Sequence, residues 1–327
     1  SVNTVNPRLL KRPNMELIEH YQPEFVSRFD ARETPCACPA CQSSDESWPH
    51  ISMKLKSQQR ESLDIGCETA AKEMLFNPEA FVLHTEKAAA QSDEPLSAWN
   101  EMLNQQCINL AVHPALNLDV SLYAIGVLLS KAQQHRDNGE NDPVLLSSMG
   151  EQLAQLAEQG VLTQQFAMLP PIAENRIATL KEMGAMRLNL NLPMVEKMGM
   201  ALKLSELSIM QDARLAERQQ QLESAWNDIA LFDEQPHALR NILIYQLYSD
   251  IFPGVNVTNY GEAFLGLARQ FFHTKMLCAI RSEQGTLTQD DVALLVSALR
   301  GWQQQNPFAA EAGNTADYSL LCGLSLL

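Results

Sequence analysis

Residues 236–254, PHALRNILIYQLYSDIFPG, show most clearly what kind of fold this chain adopts. Apolar side chains recur there at intervals of three and four residues, which is the period of one face of an α-helix. They are Leu239, Ile242, Leu243, Leu247 and Ile251. Proline suits the first turn of a helix, and the Pro-Gly pair at the end stops it. The stretch therefore predicts a helix with one buried face.

The same period continues through most of the chain after about residue 58, where the good helix formers Leu, Ala, Glu and Met dominate. Thr288 followed by Asp291 resembles a capping box, with Asp in place of Glu or Gln. No alternating Val/Ile/Thr pattern predicts a strand. We predict an all-α fold, a multi-helical body with an irregular Cys-containing N-terminal segment. The predicted helices include 97–112, 172–186, a long one over 193–226, 260–280 and 292–304.

The first 50 residues differ from this body. They hold six of the 16 prolines and three of the seven cysteines, with little helical period. We therefore predict two regions, a Cys-bearing N-terminal region over 1–85 with a possible cluster site and a helical domain over 86–327.

The charge balance limits the kinds of partner. The 327 residues include 24 Lys and Arg against 39 Asp and Glu, a net charge of −15. A nucleic-acid-binding face needs clustered cations to neutralise phosphates, and an anionic membrane surface needs them too. We therefore predict neither nucleic acid nor membrane as a partner.

No sequence feature predicts export. The most apolar run, 122–129 (LYAIGVLL), is far shorter than the roughly 20 residues that span a bilayer. Residues 1–17 lack the apolar core of a secretory signal. Seven cysteines without such a signal favour thiols or metal ligands over disulfides. We predict a cytoplasmic protein.

The most specific local pattern is Cys36-Ala-Cys38-Pro-Ala-Cys41, with Cys67 as a possible fourth member. A turn-rich loop can bring three thiols to one centre, and thiolates suit zinc and iron–sulfur clusters. A local disulfide or free thiols are the alternative. The other three cysteines lie in apolar helical sequence and are predicted to be buried; they are Cys107, Cys278 and Cys322.

Common cofactor and nucleophile motifs are absent: the chain has no GxGxxG, no GxxxxGK[ST], no GxSxG and no HExxH. A Rossmann-type cofactor domain is therefore not expected. The histidines are scattered, and of these His50 is a candidate site residue because it follows the Cys loop.

Four stretches, in order along the chain, form a recognisable set. They are Gln22-Pro-Glu-Phe-Val-Ser-Arg-Phe29, Trp48-Pro49 with 61–67, Leu239-Arg-Asn-Ile-Leu-Ile-Tyr245 with Phe252-Pro253, and 287–306. Together they resemble the bacterial flagellin lysine-N-methylase family. The resemblance implies a helical enzyme that methylates surface lysines of flagellin with S-adenosylmethionine. It also implies an iron–sulfur cluster, most simply 4Fe-4S with zinc as the alternative, on Cys36, Cys38, Cys41 and Cys67.

Methyl transfer to lysine requires a neutral amine, whose ordinary pKa is about 10.4. A desolvated tunnel and a nearby base meet this need. Tyr245, Tyr248 and Tyr260 are candidates to line such a tunnel, and Asp250 is a candidate proton acceptor. Packed aromatic rings beside a surface carboxylate are the alternative. The resemblance and the nearness to the Cys loop suggest four cofactor-binding residues, which are Trp48, His50, Arg240 and Asn241.

Two other functions fit the same residues. One is a non-catalytic, acidic, helical partner-binding or chaperone-like protein, with a Met-rich groove over 183–210 and a Cys metal clip. The other is a redox module built on a cluster. The sequence predicts no oligomeric state.

Overall fold

The helical period of the sequence is realised over most of the chain. The structure is a computed structural model that describes residues 16–170 and 172–327. The segment 1–17, in which we predicted no secretory signal, lies almost wholly outside the described residues. The helices, in chain order, are α1 (Glu24–Asp30), α2 (Pro39–Gln42), α3 (Glu68–Phe76), α4 (Ala98–Ala111), α5 (Leu118–Asp137), α6 (Pro143–Glu158), α7 (Val161–Ala167), α8 (Ala173–Glu182), α9 (Met194–Ile209), α10 (Asp212–Asn227), α11 (Leu231–Glu234), α12 (His237–Ser249), α13 (Tyr260–Ser282), α14 (Gln289–Gln305) and α15 (Ala316–Leu324).

The mostly helical class is confirmed, and several helix ends fall where the sequence placed them. Ser97 caps α4 by accepting a hydrogen bond from the Asn100 backbone. Thr288 and Asp291 form a complete capping box at the start of α14, so Asp replaces Glu there without loss of the motif.

The long helix predicted over 193–226 is wrong. It is two helices, α9 and α10, separated by Met210 and Gln211, whose backbones are extended. The apolar residues of α9 and α10 can then both face the core, because the chain changes direction between them. Helical period alone does not reveal a break of two residues that are themselves compatible with a helix.

The N-terminal segment predicted as irregular contains a four-stranded sheet. Its strands are β1 (Leu17–Pro23), β2 (His50–Lys54), β3 (Gln58–Leu63) and β4 (Leu83–Ala89), in the order β2-β3-β1-β4. β1 pairs with β3 in parallel and with β4 antiparallel. The strand sequences are rich in Gln, Glu, Lys and His, so they lack the apolar alternation that identifies strands in sequence.

Buried polar contacts fasten this sheet to the helical body. The Arg60 side chain of β3 donates to the Tyr248 carbonyl at 2.9 Å and to Asn104 Oδ1 at 3.0 Å. Asn104 in turn donates to the carbonyls of Leu247 and Phe252. One apolar core runs through both parts and includes Phe25 and Tyr245. The division at residue 85 stays a prediction.

Helix α13 runs through the middle of the body, and α15 packs closely along it. A Cβ on Gly261 would lie 1.9 Å from the Ala316 carbonyl oxygen, so only glycine allows this approach. Gly323 of α15 has the same function against the Phe264 ring. Among the helices of residues 16–170 and 172–327, none has the length and apolar character needed to cross a bilayer.

Candidate functional site

The four cysteines of the predicted site come together in space. Cys36 and Cys38 lie in the loop that leads into α2, Cys41 lies within α2, and Cys67 caps α3. Their sulfur atoms all lie within 4.8 Å of one another. Cys67 is buried and the other three are half-buried, so the centre lies just below the surface. The four side chains therefore converge and could bind a metal, and their role as metal ligands stays a prediction.

The sulfur spacing indicates what the centre can hold. Cys67 Sγ lies 3.6 Å from Cys36 Sγ, 3.9 Å from Cys38 Sγ and 3.6 Å from Cys41 Sγ. Four thiolates around one tetrahedral zinc ion, each about 2.3 Å from it, would stand about 3.8 Å apart. A four-iron cube puts each cysteine on a different iron, which requires wider spacing. The present spacing therefore matches one ion.

The protein environment shifts the pKa values of Cys36 and Cys67 in opposite directions. Burial alone would raise the pKa of Cys36, but hydrogen bonds from Thr69 and from the Cys38 backbone lower it to about 6. Burial raises the pKa of Cys67 to about 12 in the absence of a metal. Cys67 also accepts the Ala70 amide at the positive end of α3. Cys36 is thus more readily deprotonated than Cys67, and the thiolate is the form that binds a cation.

Of the predicted cofactor residues, Trp48 lies beside the segment that ends at Cys67, whereas the partners of His50 belong to other segments. The Trp48 ring is 3.3 Å from the position of a Cβ on Gly66, directly before Cys67. His50 bonds to Asp30 through Nε2 and to the Ser47 carbonyl through Nδ1. Their predicted part in cofactor binding stays a prediction.

The other two predicted cofactor residues lie elsewhere and bond to the backbone at helix ends. Arg240 Nη2 donates to the Leu116 carbonyl at 2.7 Å. Asn241 donates to the carbonyls of Met74 and Asn77, at 2.9 Å each, where α3 ends. The structure thus separates this pair from Trp48 and His50, and their cofactor role also stays a prediction.

The three tyrosines predicted to line a tunnel are buried, and their hydroxyls already have partners. Tyr245 donates to the Leu63 carbonyl at 2.7 Å, and Tyr248 donates to the Glu61 carbonyl at 3.0 Å. Tyr260 Oη accepts from Trp99 Nε1 at 2.9 Å and from Arg136 at 3.1 Å. These contacts join the sheet and α4–α5 to the body, and the catalytic role of the tyrosines stays a prediction.

Asp250, the predicted proton acceptor, is exposed at the edge of a large cleft. The cleft has a volume of about 1190 Å³ and is lined by residues of α8, α12, α13, the end of α14 and α15. Ile251, next to Asp250, has a φ of 49°. This conformation is costly for a β-branched residue, and such strain collects at functional sites.

Sequence reasoning did not find the rest of this cleft. Its lining includes His273, Trp302 and Phe308, which come from separate elements and share no motif. His273 is one of the scattered histidines, and no signal in the sequence sets it apart. Of the three cysteines predicted to be buried, Cys107 and Cys278 are, whereas Cys322 is half-buried and lines the cleft.

Polar contacts of Asp64 link the segment before Cys67 to the end of α14, which borders the cleft. Asp64, three residues before Cys67, accepts a hydrogen bond from Gln304 at 2.8 Å and lies 3.5 Å from Arg300. Burial alone would lower the pKa of Arg300, but the charges of Tyr245, Asp64 and Asp250 raise it above its ordinary value. The end of α14 therefore contacts the thiol-bearing segment on one side and borders the cleft on the other.

Comparison with known proteins agrees with this arrangement. No solved structure matches the chain significantly. The lysine-N-methylase of Salmonella choleraesuis strain SC-B67 is 25% identical over 279 residues, which is 81% of this chain and 68% of that protein. The lysine-N-methylase of Salmonella typhimurium strain LT2 is 24% identical over the same shares. The family model for the FliB lysine N-methylase C-terminal domain matches residues 104–313. The match spans most of the helical body, from α4 to the loop before α15, and the chain therefore belongs to the FliB lysine N-methylase family.

Proposed function

We propose that the chain is a cytoplasmic protein-lysine N-methyltransferase that uses S-adenosylmethionine and acts on flagellin. Membership of the methylase family supports the reaction, and the sequence resemblance supports the donor and the substrate. The observation that carries the proposal is the four-thiol centre joined to a body of this family, because the resemblance implies a cysteine-bound centre there.

The reaction sets demands on the protein's own residues. S-adenosylmethionine supplies a methyl group activated by its sulfonium. The lysine nitrogen forms the new N–C bond, the C–S bond breaks with its electron pair going to sulfur, and the nitrogen gives up a proton. An exposed carboxylate such as Asp250 can accept that proton or pass it to water. The walls of the cleft would hold the amine in line with the methyl group.

The metal centre has two candidate occupants. The resemblance favours a four-iron cluster, and the sulfur spacing favours a single tetrahedral ion such as zinc. In either case Cys36, Cys38, Cys41 and Cys67 would be the ligands, and the occupant would hold the N-terminal loop against α3. Metal analysis of protein purified without oxygen separates the two, since about four irons or about one zinc per chain is expected.

Flagellin mass tests the proposed activity directly. Purified protein, S-adenosylmethionine and flagellin are incubated together, and intact flagellin is weighed by mass spectrometry. Additions of about 14 Da per methyl group on lysine are expected. A reaction without S-adenosylmethionine is the control. An unchanged flagellin mass with metal-loaded protein would contradict the proposal.

The exposed apolar surface of α9 favours a second candidate function, the binding of a partner helix. Helix α9 exposes an apolar stripe whose members are each more than half exposed, and no described element packs over them. They are Met194, Val195, Met198, Leu202 and Ile209. Such a stripe suits a partner helix. Tight binding of flagellin without a change in its mass would support the non-catalytic, chaperone-like alternative with a Cys metal clip.

A further inference from the structure

We propose that the cleft bordered by Asp250 binds the lysine-bearing segment of the protein substrate, with the lysine ammonium received by carboxylates and aromatic rings. This inference rests on the proposed function and adds the place and the groups that recognise the substrate. The cleft is open to the surface and its volume of about 1190 Å³ suits a peptide segment.

The charge of the cleft suits a cation. Its ionised lining groups are the carboxylates of Glu182, Asp250, Glu262 and Glu311 and the guanidinium of Arg269. Four negative groups against one positive group leave a formal charge of −3. Glu182 is already paired with Arg269 at 2.9 Å, so the other three carboxylates are the ones left to attract an ammonium.

The aromatic surface of the cleft already holds one cation of the chain itself. The Arg269 guanidinium lies 4.2 Å from the centre of the Phe308 ring. Tyr318 and Trp302 also line the cleft, and Tyr318 and Phe308 are 53% and 43% exposed. Exposed rings beside carboxylates form a surface on which an ammonium or a methylated ammonium is stabilised.

Two buried polar groups in the lining have no partner among residues 16–170 and 172–327. His273 is 3% exposed, and neither of its ring nitrogens has a hydrogen-bond partner. The Gln246 amide nitrogen is also buried and unpartnered. Buried polar groups are normally paired, so such groups point to a ligand. Burial, with the nearby Arg269 charge, lowers the pKa of His273 to about 3, which leaves a neutral ring with one accepting nitrogen.

These groups match the chemistry of a peptide that carries lysine. The accepting nitrogen of His273 fits an amine or ammonium hydrogen, and the Gln246 amide can donate to a peptide carbonyl. Asn256, Asn306 and Asn314 add further amides along the lining for the peptide backbone.

Binding and crosslinking to the full, metal-loaded chain, without S-adenosylmethionine, test the inference. The probe is a short peptide of Ser, Ala and Thr with one lysine, a fluorophore and a neighbouring diazirine photo-crosslinker. A second peptide carries Nε-acetyl-lysine. We expect crosslinks to residues 302–318, and binding of the lysine peptide about tenfold tighter than that of the acetylated one.

Matched variants sharpen this test. Glu262→Gln and Glu311→Gln should each weaken binding of the lysine peptide about three- to tenfold and leave the acetylated peptide unaffected. Glu151→Gln makes the same change on the exposed surface of α6, outside the cleft, and should have no effect. Trp302→Ala should weaken both peptides if it folds, and His273→Phe should weaken the lysine peptide; circular dichroism verifies their folding.

The outcomes separate this inference from the proposed function. Crosslinks elsewhere, with equal affinity for both peptides and for both Gln variants, would overturn the cleft assignment even if flagellin is methylated. Crosslinks in the cleft with the expected losses would support it even if no methyl transfer is found.

Discussion

The N-terminal region and the helical body are stabilised in opposite ways. In the body, helices such as α4 and α14 satisfy their backbone within one segment and end at capping residues next to them in sequence. In residues 16–89, the strand β1 lies between β3 and β4, which are distant in sequence, and four cysteines meet from two separate segments. Local sequence therefore specifies the helices of the body, whereas the N-terminal region depends on contacts between segments that are distant in sequence.

The largest effect should come from removing one thiol. In Cys67→Ser we expect metal content to fall below about a tenth of the wild-type value, since three thiolates leave one position open. The 31–66 segment should then be cut rapidly by protease while the body stays intact. Elemental analysis and limited proteolysis measure this. Cys107→Ser, a buried thiol of α4, should keep its metal, and retention of metal by the Cys67 variant would refute the centre.

The junction between the two regions should be nearly as sensitive. Asn104→Ala removes a fully buried amide that serves Arg60 and the carbonyls of Leu247 and Phe252. We expect the free energy of unfolding to fall by about 3 kcal/mol, because several buried groups lose their partners. Urea unfolding measures it. Asn109→Ala, exposed on the same helix, should change it by less than about 0.5 kcal/mol.

Loss of the helix cap of α14, a local feature of the body, should reduce the free energy of unfolding by a smaller amount. Thr288→Ala breaks the capping box of α14 and should lower the free energy of unfolding by about 1 kcal/mol. Thr288→Ser keeps the hydroxyl and should cost only a few tenths of a kcal/mol. Equal losses for Ala and Ser in urea unfolding would show that the cap bond is not the cause.

The smallest expected effect is a loss of folding stability at low pH, caused by protonation of Glu61 in β3. Burial alone would raise the pKa of Glu61, but hydrogen bonds from Gln59, Ser52 and His20 lower it below its ordinary value. A lowered carboxyl pKa stabilises the fold above the unfolded-state pKa of about 4.3, and this contribution is lost as pH falls through the folded-state pKa. It should amount to a few tenths of a kcal/mol, since the group is partly exposed.

Urea midpoints at pH 7 and pH 3.5 test this. Glu61→Gln should lose less stability on acidification than the wild type. The same loss in both proteins would assign the acid sensitivity to other groups.

The two regions also differ in what the sequence could predict. Helical period and caps identified α4, α12 and α14, because those signals lie within each element. The strands were missed because polar residues such as Gln58, Gln59 and Arg60 are buried there by pairing with distant parts of the chain. The break at Met210 has no local signal.

The thiol centre and the cleft also differ in how far the sequence could predict them. The thiol centre was predictable because three of its cysteines lie within six residues, and such clustered cysteines are typical of metal sites. The cleft was not, because Gln246, His273 and Trp302 are ordinary residues in sequence, and their meeting is a product of how α12, α13 and α14 pack.

The hydrogen bonds that join β3 and the segment after it to the helical body can form only late in synthesis. Arg60 bonds to the Tyr248 carbonyl, 188 residues further on, and the Ile65 carbonyl accepts from Ser297, 232 residues further on. At about 5–20 residues per second, the ribosome needs roughly 10–45 s to deliver these partners. The cysteines of the N-terminal region are therefore synthesised well before the helices that enclose them. Any metal or chaperone that protects these thiols during synthesis must act in that interval.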